Sequence, residues 1–441
     1  MELEFSKKLS FIEFLKFISP AIISMIFISL YTIIDGIFVS TLVGSNALAS
    51  INIILPIISI IFSIAVMFGT GGSAIISRML GQKNIKKASE IFSFLSFTAL
   101  LIGTIIGIIL FIFIDNISII LGATSKLLPY CISYGKIIAL FTPVFILKSL
   151  AEYYIRTDGD FKFSLYISVM GGIINIVFDY LFIKIFNLGI SGAAYATVLG
   201  VFISLIFGIV YFFKNTSTLK FIKFKFHSKT LIKTLINGSS EMVTELSTGI
   251  TTLIFNVIAL NYAGEDGVAA LTIVLYAHFL LISTYLGFTS GISPLISYNY
   301  GANNPEKLKE TFNYSKLFLI ISSVLIFIVS IIFAKNIVSV FVKPDNPVYL
   351  LALNGLKIFS IAFLFVGINI FASGLFTAFS NGKISSLISF ARSFVFVIIG
   401  ALILPPLFKL DGLWLVVPFA EILTILISIY FIKKYKHLYS F

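Results

Sequence analysis

Charge is what this sequence has least of: 11% of its 441 residues are Asp, Glu, Lys or Arg, against about a quarter in soluble domains. Water is not the solvent for most of this chain. A single cysteine, Cys131, excludes an internal disulfide, and the three histidines (His227, His278, His437) stand too far apart in sequence to suggest a metal cluster. Redox and zinc chemistry are disfavoured. No phosphate-binding glycine loop ending in Lys-Ser or Lys-Thr is present, and no Ser/His/Asp spacing stands out. The chain is therefore expected not to be an enzyme and to need no cofactor, and any uphill transport would draw on an ion gradient.

Apolar residues make up 59% of the chain and its mean hydropathy is +1.08. Crossing a hydrocarbon core of about 30 Å takes roughly 20 apolar residues, and such runs recur from end to end. Twelve spans are predicted, at 11–41, 46–79, 92–114, 129–155, 163–184, 190–213, 232–260, 267–299, 312–333, 348–377, 384–406 and 411–433. The fold class is an all-α membrane protein. The first run keeps Pro20 and Asp35 and is followed at once by another, unlike a cleaved signal peptide.

The formal charge of +12 would suggest nucleic acid in a soluble protein, but its placement decides its meaning. Alternate loops hold Lys7, Lys8, Arg78, Lys83, Lys86, Lys87, Arg156 and Lys162, then Lys214 to Lys233, and later Lys307, Lys309, Lys383, Lys433, Lys434 and Lys436. By the positive-inside rule those loops and both termini are cytoplasmic, and no nucleic-acid partner is needed.

The longest polar stretch contains KNTSTLKFIKFKFHSK, basic and aromatic by turns. It reads either as a linker resting on anionic membrane lipid or as an ordinary solvated loop. Sliding the chain on itself by about 220 residues exposes a repeat. Gly71, Ser73, Ile76, Ser77, Gly81, Asn84 and Lys87 fall on Gly291, Ser293, Ile296, Ser297, Gly301, Asn304 and Lys307. The expected organisation is a six-helix lobe at 1–213, a basic cytoplasmic linker at 214–231 and a second six-helix lobe at 232–441. Two parallel repeats enclose a cleft that can open to either side. The glycines of GTGGS and TSGIS serve either close helix packing, their commoner role in membranes, or hinging.

An ionisable group at the bilayer centre costs at least about 2.5 kcal/mol, so those that persist are functional candidates. Asp35, Asp179, Glu241, Glu245, Arg392 and Glu421 fall within the predicted spans. Asn175 and Asp179 are spaced i, i+4, which stacks their oxygens on one helix face, suited to a small hard cation, to a proton, or to a plain interhelical hydrogen bond. Glu241 and Glu245 share that spacing, and two like charges so close cannot both ionise cheaply. They read as a second-lobe substrate or proton site. Arg392 and Glu421 read as a structural or coupling pair, and His278 as a hydrogen-bonded core residue.

The motifs PAIISMIFISLYTIIDGIFVS, GGIINIVFDYLFI with LGISGAAYAT, TELSTGI, GISPLISYNYGA and LDGLWLVVPFAE, in this order, cover both halves. In them the chain resembles the multidrug and toxic compound extrusion (MATE) family, in its bacterial MepA-like group. The resemblance implies a monomeric exporter of the bacterial inner membrane that carries small amphiphilic cationic drugs outward against Na+ or H+ by a rocker-switch movement. It implies a first-lobe cation site of Asp35, Asn175, Asp179 and Thr197, a helix-1 bend at Pro20, and a second-lobe role for Glu245. Glu241 has no clear match, and the tenth span shows no acidic counterpart. Tyr31, Phe38 and Phe178 are candidate aromatic faces for a drug cation. The alternative is a flippase for lipid-linked oligosaccharide of the same superfamily, which would want a basic cavity, whereas the acids dominate here.

Overall fold

A backbone in lipid has no water to bond, so it must satisfy its own donors and acceptors, and helices do so within one segment. The computed structural model describes residues 10–439, with no strand among them. Its helices are α1 (Phe11–Phe38), α2 (Ser45–Gly81), α3 (Ile85–Ile120), α4 (Leu128–Leu140), α5 (Thr142–Thr157), α6 (Phe161–Asp179), α7 (Gly189–Phe213), α8 (Ser228–Gly301), α9 (Pro305–Ile332), α10 (Ala334–Phe341), α11 (Pro347–Phe359), α12 (Phe363–Ala378), α13 (Gly382–Phe390) and α14 (Phe396–Tyr439). Lys7 and Lys8 lie outside the described residues.

Several of these helices are not one crossing each. At 74 residues α8 would run about 110 Å, several times the hydrocarbon thickness, unless it turned. It turns at Gly264, whose φ of 62° and ψ of −152° are open to glycine, and α14 turns likewise at Lys409. Helices α4 and α5 form one span bent by 53° just before Pro143, where the missing amide interrupts the ladder. With these turns and bends taken into account, the described residues make twelve crossings. The predicted spans hold in number, but several run longer: the third begins at Ile85 rather than 92, because Asn84 caps it by accepting from the Lys87 amide at 3.1 Å.

The internal repeat is visible in the geometry. Asn304 caps α9 as Asn84 caps α3, accepting from the Lys307 amide at 3.1 Å, and the residues before the caps, Lys83 and Asn303, take left-handed φ values of 59° and 52°. Lys87 pairs with Glu90 at 3.2 Å and Lys307 with Glu310 at 3.0 Å. The matched glycines meet reciprocally across α2 and α8. A Cβ at Gly81 would overlap the Tyr298 carbonyl, and one at Gly301 the Arg78 carbonyl. Their role here is close packing.

Residues 214–227 form a strap pinned to the same end of the bundle. Asp158, in the turn after α5, accepts from Tyr211 Oη at 3.0 Å and from the Thr218 and Leu219 amides at 3.1 Å. The Ser93 hydroxyl accepts from the Ile222 amide at 3.0 Å. Hydrogen bonds to an ionised acceptor contribute about 1.5–3 kcal/mol each. Asp158→Ala is therefore expected to free the strap, and tryptic cleavage after Lys214 and Lys220 should speed up several-fold; an unchanged digestion rate would show that Asp158 is not the anchor.

Candidate functional site

Two spans in the first half lose regular α geometry just beyond an aspartate. After Asp35, α1 runs into a π-helical turn at Val39–Val43, and after Asp179, α6 runs into another at Tyr180–Ile185. Such turns insert a residue into the ladder and are frequent at functional sites. The two carboxyls lie within hydrogen-bonding reach of each other. Two bare carboxylates repel, so this contact requires a shared proton or a cation between them. Asn175 Nδ2 donates to Asp179 Oδ2 at 3.1 Å and to Thr197 Oγ1 at 3.4 Å, and Thr197 Oγ1 donates to the Ala193 carbonyl at 3.0 Å. Asn175 and Asp179 are buried. Asp35 Oδ1 and Asp179 Oδ1 have no hydrogen-bond partner among the described residues. All four residues named from the sequence thus converge, as hard oxygen donors with spare acceptor capacity.

Pro20 sits inside α1. Its ring leaves the Lys16 carbonyl without an amide partner, and Ser19 Oγ donates to that carbonyl at 3.0 Å.

Beside this site lies a cavity of about 350 Å³ walled by both halves. Tyr31 lines it, one helical turn before Asp35 and so on the same face of α1. Phe38 and Phe178 are not on its wall; Phe178 packs on Phe182 at 5.1 Å between ring centres. Glu241 and Glu245 also line it, and neither makes an ion pair among the described residues. Of the neighbouring serines, Ser239 bonds Ser386 at 2.6 Å, and Ser240 bonds Thr377, itself on the cavity wall, at 3.2 Å.

The opposite wall holds a charged stripe on α5 that the sequence reading passed over. Lys148 Nζ meets Glu152 Oε1 at 2.7 Å, and Ser168 Oγ donates to the same carboxylate oxygen. Arg156, expected in a cytoplasmic loop, is instead a buried helix residue on the cavity wall. Its guanidinium lies 4.6 Å from the Tyr153 ring centre, and its Nη1 donates to Ser290 Oγ of α8 at 3.5 Å. Spacing of i, i+4, i+8 was the signal that these three share a face.

In the second half, Arg392 and Glu421 do meet, Nε to Oε1 at 3.1 Å, with Arg392 in a third π-helical turn, Ala391–Val395. Asn369 of α12 donates to Glu421 Oε2 at 2.7 Å, and Ser428 Oγ donates to Asn369 Oδ1 at 2.8 Å. Where the sequence showed no acid in the tenth span, the structure supplies this amide. Breaking a buried pair from one side costs about 3–5 kcal/mol, whereas removing both charges is often neutral. Arg392→Met is thus expected to lower the melting temperature in detergent strongly, and Arg392→Met with Glu421→Leu to restore most of it. His278 differs from expectation: its Nδ1 lacks a hydrogen-bond partner among the described residues, and its ring packs on Phe359 and Phe363 at 4.8 and 5.8 Å.

Comparison with known proteins gives a consistent result. The MatE family model matches twice, over residues 20–181 and 242–403. The multidrug export protein MepA of Staphylococcus haemolyticus is 28% identical over 416 residues, covering 93% of this chain and 89% of that protein. MepA of Staphylococcus aureus strain MSSA476 is 27% identical over 421 residues with the same coverage. Among solved structures, a MATE in complex with MaL6 superposes with a TM-score of 0.92 at 22% identity, covering 96% of each chain. An outward-facing multidrug resistance MATE family transporter of the MOP superfamily superposes at 0.91 and 22% identity, over 96% of this chain and 95% of that one. At that identity these two establish likeness of fold.

Proposed function

Because the chain belongs to the MatE family of multi-pass membrane transporters, we propose that it exports amphiphilic cationic drugs from the bacterial cytoplasm against an inward flow of Na+ or H+. The observation that carries this reading is the paired Asp35 and Asp179 carboxyls one helical turn from the cavity wall at Tyr31. An ion entering from outside binds between the carboxyls with Asn175 and Thr197 in reach. Helix α1, which Pro20 permits to bend, carries the change to the cavity, where Glu241 and Glu245 hold the drug's positive charge.

Two lobes rocking about the cleft then expose it to either side, with residues 1–213 and 232–441 as the moving bodies and 214–231 joining them. The export names of the staphylococcal relatives support this assignment. Positive-inside placement puts both termini in the cytoplasm. One drug cation leaving for one ion entering moves no net charge, so the drive would be the ion's concentration difference rather than the membrane potential.

Lys148 and Arg156 give the oligosaccharide flippase a specific argument, since both bases line the cavity. Three acids, Glu152, Glu241 and Glu245, line it with them, so it is not the basic cavity that reading wants. The test is ethidium efflux from proteoliposomes with the Na+ and H+ gradients collapsed in turn. Efflux is expected to stop when one of the two is removed; persistence without either gradient would defeat the antiport.

A further inference from the structure

Outside the transport path, a second cavity of about 550 Å³ opens sideways from the first half. Its walls are α3 (Phe97, Leu100), the back of α5 (Leu150, Tyr154), α7 (Ile209) and the strap (Phe224). Phe97, Leu100 and Ile209 are exposed at its rim, and exposed apolar residues continue down α3 through Leu101, Ile105 and Ile108. The mouth therefore opens on the surface that faces lipid tails. Its size falls within the range of about 300–1,000 Å³ that holds one amphiphile.

The strap makes this groove selective by charge. Its Lys223 lines the groove, and Lys225 lies two residues on, both exposed and neither in an ion pair among the described residues. A carboxylate beside the strap, Glu90, accepts from the Lys225 amide at 3.4 Å and is held by His227 at 2.8 Å and Lys87 at 3.2 Å. The ammonium groups are thus left to an outside anion. Strap aromatics fix the lysines in place: Phe221 packs on Phe92 at 4.7 Å, and Phe224 on Phe97 at 5.6 Å. An apolar slot open to tails, under a basic rim at the membrane surface, is the chemistry of an anionic phospholipid.

We propose that this groove is a binding site for one anionic phospholipid of the strap-side leaflet, with an acyl chain between α3, α5 and α7 and its phosphate on Lys223 and Lys225. The site goes beyond the transport reading. It also touches it, because the groove backs onto the helix whose other face carries Lys148, Glu152 and Arg156. An occupied groove would brace α5 against the cavity.

The test uses Phe224→Trp as a reporter in the full chain, with Trp414, buried in the other half, as constant background. Quenching is titrated in phosphatidylcholine vesicles with brominated phosphatidylglycerol or brominated phosphatidylcholine. Each basic residue near an anionic surface is worth about fivefold in affinity. Half-maximal quenching is expected at a mole fraction at least about threefold lower for the glycerol lipid, and Lys223→Gln with Lys225→Gln should bring the two curves together. Coincident curves in the parent reporter, or a preference that survives the double change, would overturn the site. Phe97→Trp, on the facing wall, serves as a second reporter should the first not fold.

Discussion

Replacing Asp179 by Asn is expected to reduce gradient-driven ethidium efflux at least about tenfold, within the range of about 5–150-fold that a coupling energy of 1–3 kcal/mol sustains. Asn keeps the shape and still accepts from Asn175 Nδ2, but it cannot share a proton with Asp35 or offer a second carboxylate to Na+. Asp35→Asn should do the same, and the double variant should be no worse than either single, because the two carboxyls act as one site. Ethidium binding to the detergent-solubilised protein should change by less than about twofold, since neither residue is on the cavity wall. Glu245→Gln should show the reverse, with weaker binding of the dye. The measurements are efflux from loaded proteoliposomes and dye anisotropy on the same preparations. Undiminished efflux in both single variants would remove the first-half site from the mechanism.

That these residues were legible at all follows from the price lipid sets on charge. Asp179 stands among Ile174, Val177, Phe178 and Leu181, and a carboxyl there needs a reason. Spacing put Asn175 on its face, the family resemblance added Asp35 and Thr197, and the structure joins all four. What no spacing rule shows is the pair of π-helical turns just beyond the aspartates, because an inserted residue leaves the hydrophobic pattern almost unchanged. The repeat was equally legible, since Asn84 and Asn304 must each cap a helix, and small residues must sit where α2 and α8 touch.

The stripe on α5 was missed for a different reason. A hydropathy window ends a span where charges begin, so Arg156 was assigned to the loop, although α5 continues through it to Thr157. Lys148 and Glu152 lay inside the predicted span, but they neutralise one another at 2.7 Å and break no pattern at the scale of a window. A basic residue at a span's end thus has two homes, the lipid headgroups or an aqueous cavity. Here the structure chooses the cavity, with all three side chains on its wall after the bend between α4 and α5.

Glycine packing between the halves leads to the second large effect. Gly81 rests on the Tyr298 carbonyl and Gly301 on the Arg78 carbonyl, while Gly238 rests on the Met67 carbonyl. The first two contacts hold α2 and α8 together at the end that carries Lys83, Lys86 and Lys307, while Gly238 meets Met67 beside the cavity-lining Val66 and Thr70. Gly81→Ala puts a methyl group into a backbone carbonyl that cannot rotate away, so α2 and α8 must separate at that end. Overpacking of this kind costs about 1–3 kcal/mol. A cost borne only by the closed arrangement shifts the population toward the opposite opening by about 5–150-fold, at 1.4 kcal/mol per factor of ten. The check is maleimide labelling at Ser293→Cys, on the cavity wall, in a Cys131→Ala background with reagent added from the strap side. Labelling should be at least about fivefold faster in Gly81→Ala than in its parent, and Gly301→Ala should match it, because the two contacts are images of each other in the repeat. A rate unchanged by either substitution would mean that these glycines do not gate that side of the cavity.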